Sequence, residues 1–261
     1  MNLLSGMPAA WEALFLVFCR IGTMMLVAPI FGSRGTTPQV RVFLGLTVAF
    51  VMAPVVAPPG TVVPSDTGAF VARIAREALI GGLVGFVVLM VFTALEGAGH
   101  IVGLQMGFSL ANIINPLTST NASLIDQFYT LVATLVFLTI DGHHIVLLGI
   151  ERTFLIAPID VVGSALPPQD MIFGLGREIF ATASRMALPV LTALLLTDVA
   201  LAMVARSVPQ LNVFVVGMPA KIAVGFVMLI VTVPAVAYIM AKSFSDIVAV
   251  LVPFARAMSP A

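Results

Sequence analysis

Charged side chains are scarce in this sequence. Only 9% of its 261 residues are Asp, Glu, Lys or Arg, against roughly a quarter in an ordinary soluble protein. The 12 basic and 12 acidic residues cancel to a formal net charge of zero. No basic block is present, which argues against a nucleic acid partner. Because 60% of the residues are hydrophobic, the sequence predicts an integral membrane protein.

Cysteine is almost absent too, since Cys19 is the only one. A single thiol can form neither a disulfide within the chain nor a thiolate metal site, and we expect Cys19 to be a small buried hydrophobic residue. The stretch Asp141 to His144 contains adjacent histidines, which would point about 100° apart on a helix. We interpret it as a turn at the membrane interface rather than a metal site. The chain also lacks phosphate-loop, dinucleotide and nucleophile-elbow motifs, so no enzymatic activity and no cofactor are expected.

Several apolar runs approach the ~20 residues that a helix needs to cross a bilayer. A further stretch at 145–159 contains Glu151, Arg152 and Pro158, and we expect it to lie at the interface or be buried in protein. Basic residues are shared almost evenly between alternate loops, which favours bent helices packed on protein over a simple up-and-down bundle. The predicted fold is an all-α membrane protein of bent helical hairpins with about six long apolar helices, at 11–30, 42–57, 78–95, 124–140, 186–205 and 222–240.

Ionisable residues interrupt these apolar runs. A charge at a helix centre costs about 2.5 to 3.5 kcal/mol on insertion scales, so such residues should face protein, water or each other. Arg73 and Glu77 are four residues apart and can pair on one helical face. Arg185 and Asp198 lie roughly 20 Å apart along a helix, so each should pair with another helix or subunit. An ion relay stays open as an alternative to structural pairing. The ionisable residues predicted to be buried are Arg20, Arg185 and Asp198.

Small residues recur at four-residue spacing in two places. Gly81 and Gly85 form a smooth stripe where another helix backbone can approach, which predicts helix packing. A second stripe at 99–111 consists of Gly99, Gly103, Gly107 and Ala111. Packing alone does not explain this second stripe, because polar residues lie among its members, namely Gln105, Ser109 and the following Asn112.

The second stripe belongs to a stretch between Glu96 and Asp126 that holds no Lys, Arg, Asp or Glu. A solvent loop would carry charge. A lipid-facing helix would not tolerate so much Asn, Gln, Gly and Pro, since each unsatisfied polar group in hydrocarbon costs several kcal/mol. A helix that ends near Asn112 and is broken at Pro116 would leave an irregular turn. We therefore predict that 99–116 is buried in protein or lines a pore.

Several motifs are spread along the chain. They are Arg20-Ile21-Gly22 with Ala28-Pro29, Pro38 and Arg41, Gln105-Met106-Gly107-Phe108 to Asn115-Pro116, Phe137-Leu138 to Gly142-His143-His144, and Arg206 to Phe214 followed by Gly217-Met218-Pro219-Ala220-Lys221. These motifs resemble the FliR family of flagellar export proteins, and the resemblance covers nearly the whole chain. The SctT family of injectisomes shares the architecture, so a virulence export subunit is the alternative. We favour the flagellar system because the motif from Pro209 to Phe214 is intact.

The resemblance implies a subunit that assembles with FliP and FliQ, and with FlhB and FlhA nearby, into the type III export gate for unfolded flagellar proteins. That gate would lie in the bacterial inner membrane at the flagellar basal body, as a helical stack of bent hairpins. Residues 1–261 would form a single export-gate domain, with a FliP-like part at roughly 1–175 and a FliQ-like part at roughly 176–261. A central loop would help plug the pore, at the matching positions Gln105, Met106, Gly107, Phe108, Leu110, Asn112, Ile113, Ile114, Asn115 and Pro116.

Within this plug we expect Met106, Phe108, Ile113 and Ile114 to form a dewetted apolar seal. A second group of residues is assigned to subunit packing or to the tip of a tight hairpin, where Asn212 would cap backbone groups. Whether that tip is a hinge or a docking surface stays open. A stand-alone transporter should show matching halves, which this sequence does not show convincingly, and a scaffold without a pore is a third alternative. The packing and tip residues are Gly99, Gly103, Pro209, Gln210, Asn212, Gly217 and Pro219.

Overall fold

The computed structural model describes residues 7–29, 37–56, 67–108, 124–159, 168–208, 210 and 212–258. These described residues form eight helices and no strand, which confirms the predicted all-α fold. In chain order the helices are α1 (Met7–Val27), α2 (Pro38–Val56), α3 (Thr67–Met106), α4 (Leu124–Thr139), α5 (Gly142–Ile156), α6 (Gln169–Ser207), α7 (Val213–Ser245) and α8 (Ile247–Ala257).

Four helical stretches of the described chain are long and apolar enough to cross a membrane, at 38–56, 67–106, 169–207 and 215–257. A fifth span results if the pair α4 and α5 counts as one. Every predicted apolar run overlaps one helix. However, α3 and α6 have 40 and 39 residues, about twice the predicted lengths. Charged residues bound the apolar run on both sides in α3 and on its N-terminal side in α6, but they do not end a helix.

A short break in the helix separates α4 from α5. At this break Asp141 adopts a left-handed conformation with φ 53°, and its carbonyl accepts the amide of His144 at 2.8 Å. The predicted turn is thus confirmed at Asp141, whereas His143 and His144 lie in the first turn of α5. The following helix is packed on protein, as predicted for 145–159, and its buried residues are Gly142, Val146, Gly149, Ile150, Thr153 and Phe154.

The chain forms two compact units, each assembled from separate stretches. Unit 1 comprises 1–90, 141–175 and 244–261, and unit 2 comprises 91–140 and 176–243. The division at about 175 into a FliP-like and a FliQ-like part rests on family resemblance and stays a prediction.

In unit 1, helix α1 packs closely on α2 and α3. A Cβ added at Gly45 would lie 3.4 Å from the Phe18 ring on α1. One added at Gly85 would lie 2.6 Å from the Met24 carbonyl oxygen, and one at Gly81 would overlap the carbonyl of Arg20. The prediction that Gly81 and Gly85 receive another helix backbone is therefore confirmed.

Candidate functional site

Helix α3 ends in a glycine cap that lies inside the uncharged stretch between Glu96 and Asp126. Gly107 has φ 90°, its amide donates to the Leu104 carbonyl at 3.1 Å, and the Phe108 amide donates to the Gly103 carbonyl at 3.0 Å. These two bonds form a Schellman motif, in which glycine is favoured because a Cβ in the left-handed conformation costs about 1–2 kcal/mol. The helix ends at Met106, six residues before the predicted end near Asn112. The left-handed glycine is the reason for this difference.

Two residues of the predicted seal pack on α7 of the same chain. Met106 is fully buried, and its thioether lies so close to Gly225 that an added Cβ there would be 2.5 Å from Met106 Cε. The ring of Phe108 meets that of Phe226 edge to face, with centroids 6.2 Å apart. Both side chains therefore anchor the end of α3. The other predicted plug residues lie outside the described residues, namely Leu110, Asn112, Ile113, Ile114, Asn115 and Pro116.

Asp198 on α6 joins the last turn of α3 to α7. Its Oδ2 accepts a hydrogen bond from Gln105 Nε2 at 3.0 Å, and its Oδ1 lies 2.5 Å from Lys221 Nζ. The Asp198 side chain is 36% exposed and that of Lys221 is 25% exposed. The expectation that Asp198 pairs with another helix is confirmed, and the structure adds Lys221, which the sequence motif contained without a role.

Arg185 is exposed within this chain and has no partner on another of the described helices. Its side chain is 64% exposed and pairs with Glu178 of the same helix at 3.7 Å, so the predicted burial against another helix of the described chain is wrong, whereas burial against another subunit stays a prediction. Seven residues are two helical turns, which places both side chains on one face of α6.

The connection between α6 and α7 holds several residues assigned to a hairpin tip. Asn212 lies at the start of α7, and its Oδ1 accepts the Val215 amide at 3.4 Å, the bond of an N-cap. Gly217 and Pro219 differ from the prediction of a second turn, because both lie inside α7. Pro219 lacks the amide hydrogen that would bond to the carbonyl four residues earlier, but the helix continues through it. Gln210 is an exposed turn residue, and Pro209 lies outside the described residues.

Besides the Asp198–Lys221 pair, a second group of charged residues forms a buried cluster in unit 1. Arg20 and Glu77 are both fully buried, and Arg20 Nε donates to Glu77 Oε2 at 2.6 Å. The guanidinium also donates to Thr153 Oγ1 at 3.3 Å and to the Ala157 carbonyl at 2.8 Å. It lies 4.0 Å from the ring centroid of Phe154. Arg20 is thus buried as predicted. Its main partner is Glu77, which the four-residue spacing in the sequence pairs with Arg73 instead.

Two more arginines bind main-chain carbonyls that follow the end of α5. Arg73 Nη1 donates to the Ile159 carbonyl at 3.1 Å and Arg76 Nη1 to the Pro158 carbonyl at 3.0 Å. These carbonyls lie beyond the helix and have no partner within it, and positive charge near a helix C-terminus complements the helix dipole. No sequence signal marks main-chain acceptors, which is why these contacts were missed. The arrangement fixes α5 on α1 and α3.

At the other end of the uncharged segment, α3 and α4 are also in contact. His100 Nδ1 lies 3.4 Å from Asp126 Oδ2, and a Cβ added at Gly99 would lie 3.0 Å from Asp126 Cα. Gly99 therefore lies in the close contact between α3 and α4. The buried Gly103 lies in the last turn of α3, where its carbonyl accepts the Phe108 amide. Within the described ranges, no group of three His, Cys, Asp or Glu side chains could hold a metal ion.

Comparison with known proteins supplies independent information. Residues 11–247 match the family model described as bacterial export proteins, family 1. The flagellar biosynthetic protein FliR of Bacillus subtilis (strain 168) is 35% identical over 238 residues, which are 90% of this chain and 91% of that protein. FliR of Escherichia coli (strain K12) is 31% identical over 87% of each chain. The Yop proteins translocation protein T of Yersinia pestis is 30% identical over 64% of each chain.

Proposed function

Because the chain belongs to family 1 of the bacterial export proteins, we propose that it is a subunit of the flagellar type III protein export gate. In this proposal it forms, with FliP and FliQ, the inner-membrane channel through which unfolded flagellar proteins leave the cell. FlhB and FlhA are its further partners at the basal body. The flagellar assignment is supported by relatives named flagellar biosynthetic protein FliR that match about nine-tenths of this chain.

The observation that carries the plug proposal is the capped end of α3. The Schellman motif at Gly107 and the contacts of Met106 and Phe108 with α7 give the neutral segment a fixed starting point. The segment's return point is held by His100 and Asp126. A strip without charge, anchored at both ends in protein, suits a closure that must exclude ions.

In this mechanism the described residues and those beyond Phe108 have different roles. Gln105, Met106, Gly107 and Phe108 anchor the base of the plug. Residues 110–116 close the resting channel, with Ile113 and Ile114 as the apolar seal that water leaves. An unfolded substrate displaces this seal while the base stays attached to α7.

Deleting residues 110–116 tests the plug. With the partners FliP and FliQ co-expressed, we expect ion leakage across the inner membrane to rise severalfold while the complex is still recovered. Replacing Ile113 and Ile114 by Asn keeps the chain length and should also raise the leak. The matched control replaces the exposed Ile172 of α6 by Asn. Leakage at the wild-type level in both plug variants would contradict the proposal.

A virulence export system is the second candidate, supported by the similarity to the Yersinia pestis translocation protein. Complementation separates the two systems. We expect this chain to restore swimming in a bacterium that lacks its own FliR. Restored secretion by an injectisome mutant without restored swimming would favour the second candidate.

We propose further that the hairpin tip formed by 208–212 packs against partner subunits. Gln210 and Asn212 are exposed in the chain, and the N-cap bond of Asn212 fixes the start of α7. Asn212→Leu should reduce co-purification of FliP and FliQ, whereas Asn212→Asp keeps a capping oxygen and should not. Equal recovery with both variants would indicate a hinge without direct partner contact.

A further inference from the structure

Asp198 is placed where an acidic residue is costly unless both of its oxygens are bound. Its helix is apolar on both sides, with Leu194 buried and Leu195 and Leu196 exposed on the surface of the chain. A carboxylate in such a run needs polar partners. Each oxygen has one, and the two partners come from different helices.

The two partners of Asp198 differ in kind and in position. Gln105 is the penultimate residue of α3 and precedes the capping Gly107 by two positions. It contributes a neutral amide donor. Lys221 lies two turns into α7, after the hairpin connection, and contributes a full charge. The ion pair with Lys221 is the stronger of the two contacts and orients the Asp198 carboxylate. Its second oxygen then faces Gln105, at the base of the proposed plug.

We propose that Asp198 is a positioning residue for the plug: it holds the last turn of α3 through Gln105 in an orientation that Lys221 sets from the hairpin. This inference rests on the proposed export-gate function. As a consequence, Asp198 couples the hairpin to the plug, because any shift of α7 that withdraws Lys221 turns the Asp198 carboxylate away from Gln105. A shift of the hairpin then reaches the base of the plug through Asp198.

An exchange of donor and acceptor tests this bond. Gln105→Glu places two carboxylates against each other across 3.0 Å, and we expect the leak to rise about tenfold, the shift in a two-state equilibrium that loss of a charge-assisted hydrogen bond produces. The double variant Gln105→Glu with Asp198→Asn has the wild-type net charge. The amide introduced at position 198 can donate from Nδ2 to the carboxylate introduced at position 105 while its Oδ1 still accepts from Lys221. The leak should therefore return to near the wild-type level.

The coupling to the hairpin is tested at Lys221. Lys221→Met leaves Gln105 untouched but removes the charge that orients Asp198, and we expect the leak to rise. Lys221→Arg keeps the charge and should leave the leak low. Gln169→Glu, at the exposed start of α6, is the control for an added carboxylate. Leaks are compared at equal recovery of the complex with FliP and FliQ, which separates positioning from assembly.

Each outcome decides the role of Asp198. The proposal is overturned if Gln105→Glu does not raise the ion leak, or if the double variant stays leaky. Equal leaks for Lys221→Met and Lys221→Arg would overturn it as well. If Gln105→Glu prevents assembly, Gln105→Met removes the hydrogen bond at similar volume and must itself raise the leak. If the deletion of 110–116 leaks and the Gln105 variants do not, only this inference fails. If neither leaks, the proposed plug fails as well.

Discussion

Gly81 of α3 lies against the main chain of Arg20 on α1 so closely that a Cβ at position 81 would overlap the Arg20 carbonyl. The same Arg20 sends its side chain to Glu77, one turn earlier on α3. The close approach of the two helices and the buried ion pair are therefore parts of one contact. The Arg20 backbone and the Arg20 side chain thus both contact the same stretch of α3, the side chain at 2.6 Å from Glu77.

Adjacent glycines provide a direct test of this contact. Gly81→Ala should destabilise the protein by about 1–3 kcal/mol, because the backbone of α1 must move away. Gly82→Ala should be neutral or stabilising by up to about 1 kcal/mol, since no described atom lies within 4 Å of its added Cβ. Thermal unfolding of the purified complex measures both. Equal shifts for the two variants would contradict the close approach.

Removing one charge of the buried pair should be far more harmful than removing an exposed one. Glu77→Gln leaves Arg20 uncompensated in the core, and we expect a loss of about 3–5 kcal/mol. The control is Glu178→Gln, whose partner Arg185 is exposed, with an expected change of about 0–1 kcal/mol. Recovery and thermal stability of the membrane-extracted protein give the comparison, and similar stability for both variants would refute a structural role of the cluster.

The left-handed cap of α3 predicts a particular order of stability at position 107. Gly107→Ala should cost about 1–2 kcal/mol because of the positive φ. Gly107→Asn should cost less, since Asn tolerates this conformation. Gly174→Ala, at an open position in the interior of α6, is a control that should be neutral or stabilising. Denaturation curves report the order, and a Gly107→Ala variant as stable as wild type would show that the cap is dispensable.

The contact between Met106 and Gly225 should appear as energetic coupling. Gly225→Ala pushes on the Met106 thioether, and Met106→Ala removes a fully buried side chain. Because the smaller residue at 106 makes room for the new methyl group, the double variant should be less destabilised than the sum of the singles, by about 0.5–3 kcal/mol. Strict additivity in a double-mutant cycle would show that the two residues do not touch.

Local patterns in the sequence were sufficient for the class, the helices and one packing stripe. Each of these features can be recognised from residues that are close together in the sequence. The four-residue spacing of Gly81 and Gly85 is an example. The predicted lengths of α3 and α6 are too short, because charged residues next to an apolar run, such as Glu77 and Glu96 in α3, stop the run without stopping the helix. The exposure of Arg185 could not be predicted, since it depends on which face of α6 other helices cover.

The candidate site was predictable only in part. The importance of Gln105 to Phe108 was visible in composition, but the contacts that hold these residues come from distant parts of the chain. Asp198 is 93 positions from Gln105, and the carbonyls bound by Arg73 and Arg76 carry no residue signature. The end of α3 at Met106 had a local signal in Gly107. We interpreted that glycine as part of a packing stripe, which concealed its function as a cap.

The order in which the compact units are completed has a consequence for biosynthesis. Unit 1 includes 244–261 together with 1–90, and within it Gly149 of α5 packs against Leu251 of α8, with an added Cβ only 3.0 Å from Leu251 Cδ1. A nascent chain therefore cannot complete this unit until α8 has been synthesised and has reached α5. Until then, the α5 surface that α8 later covers is open to chaperones and to membrane proteases.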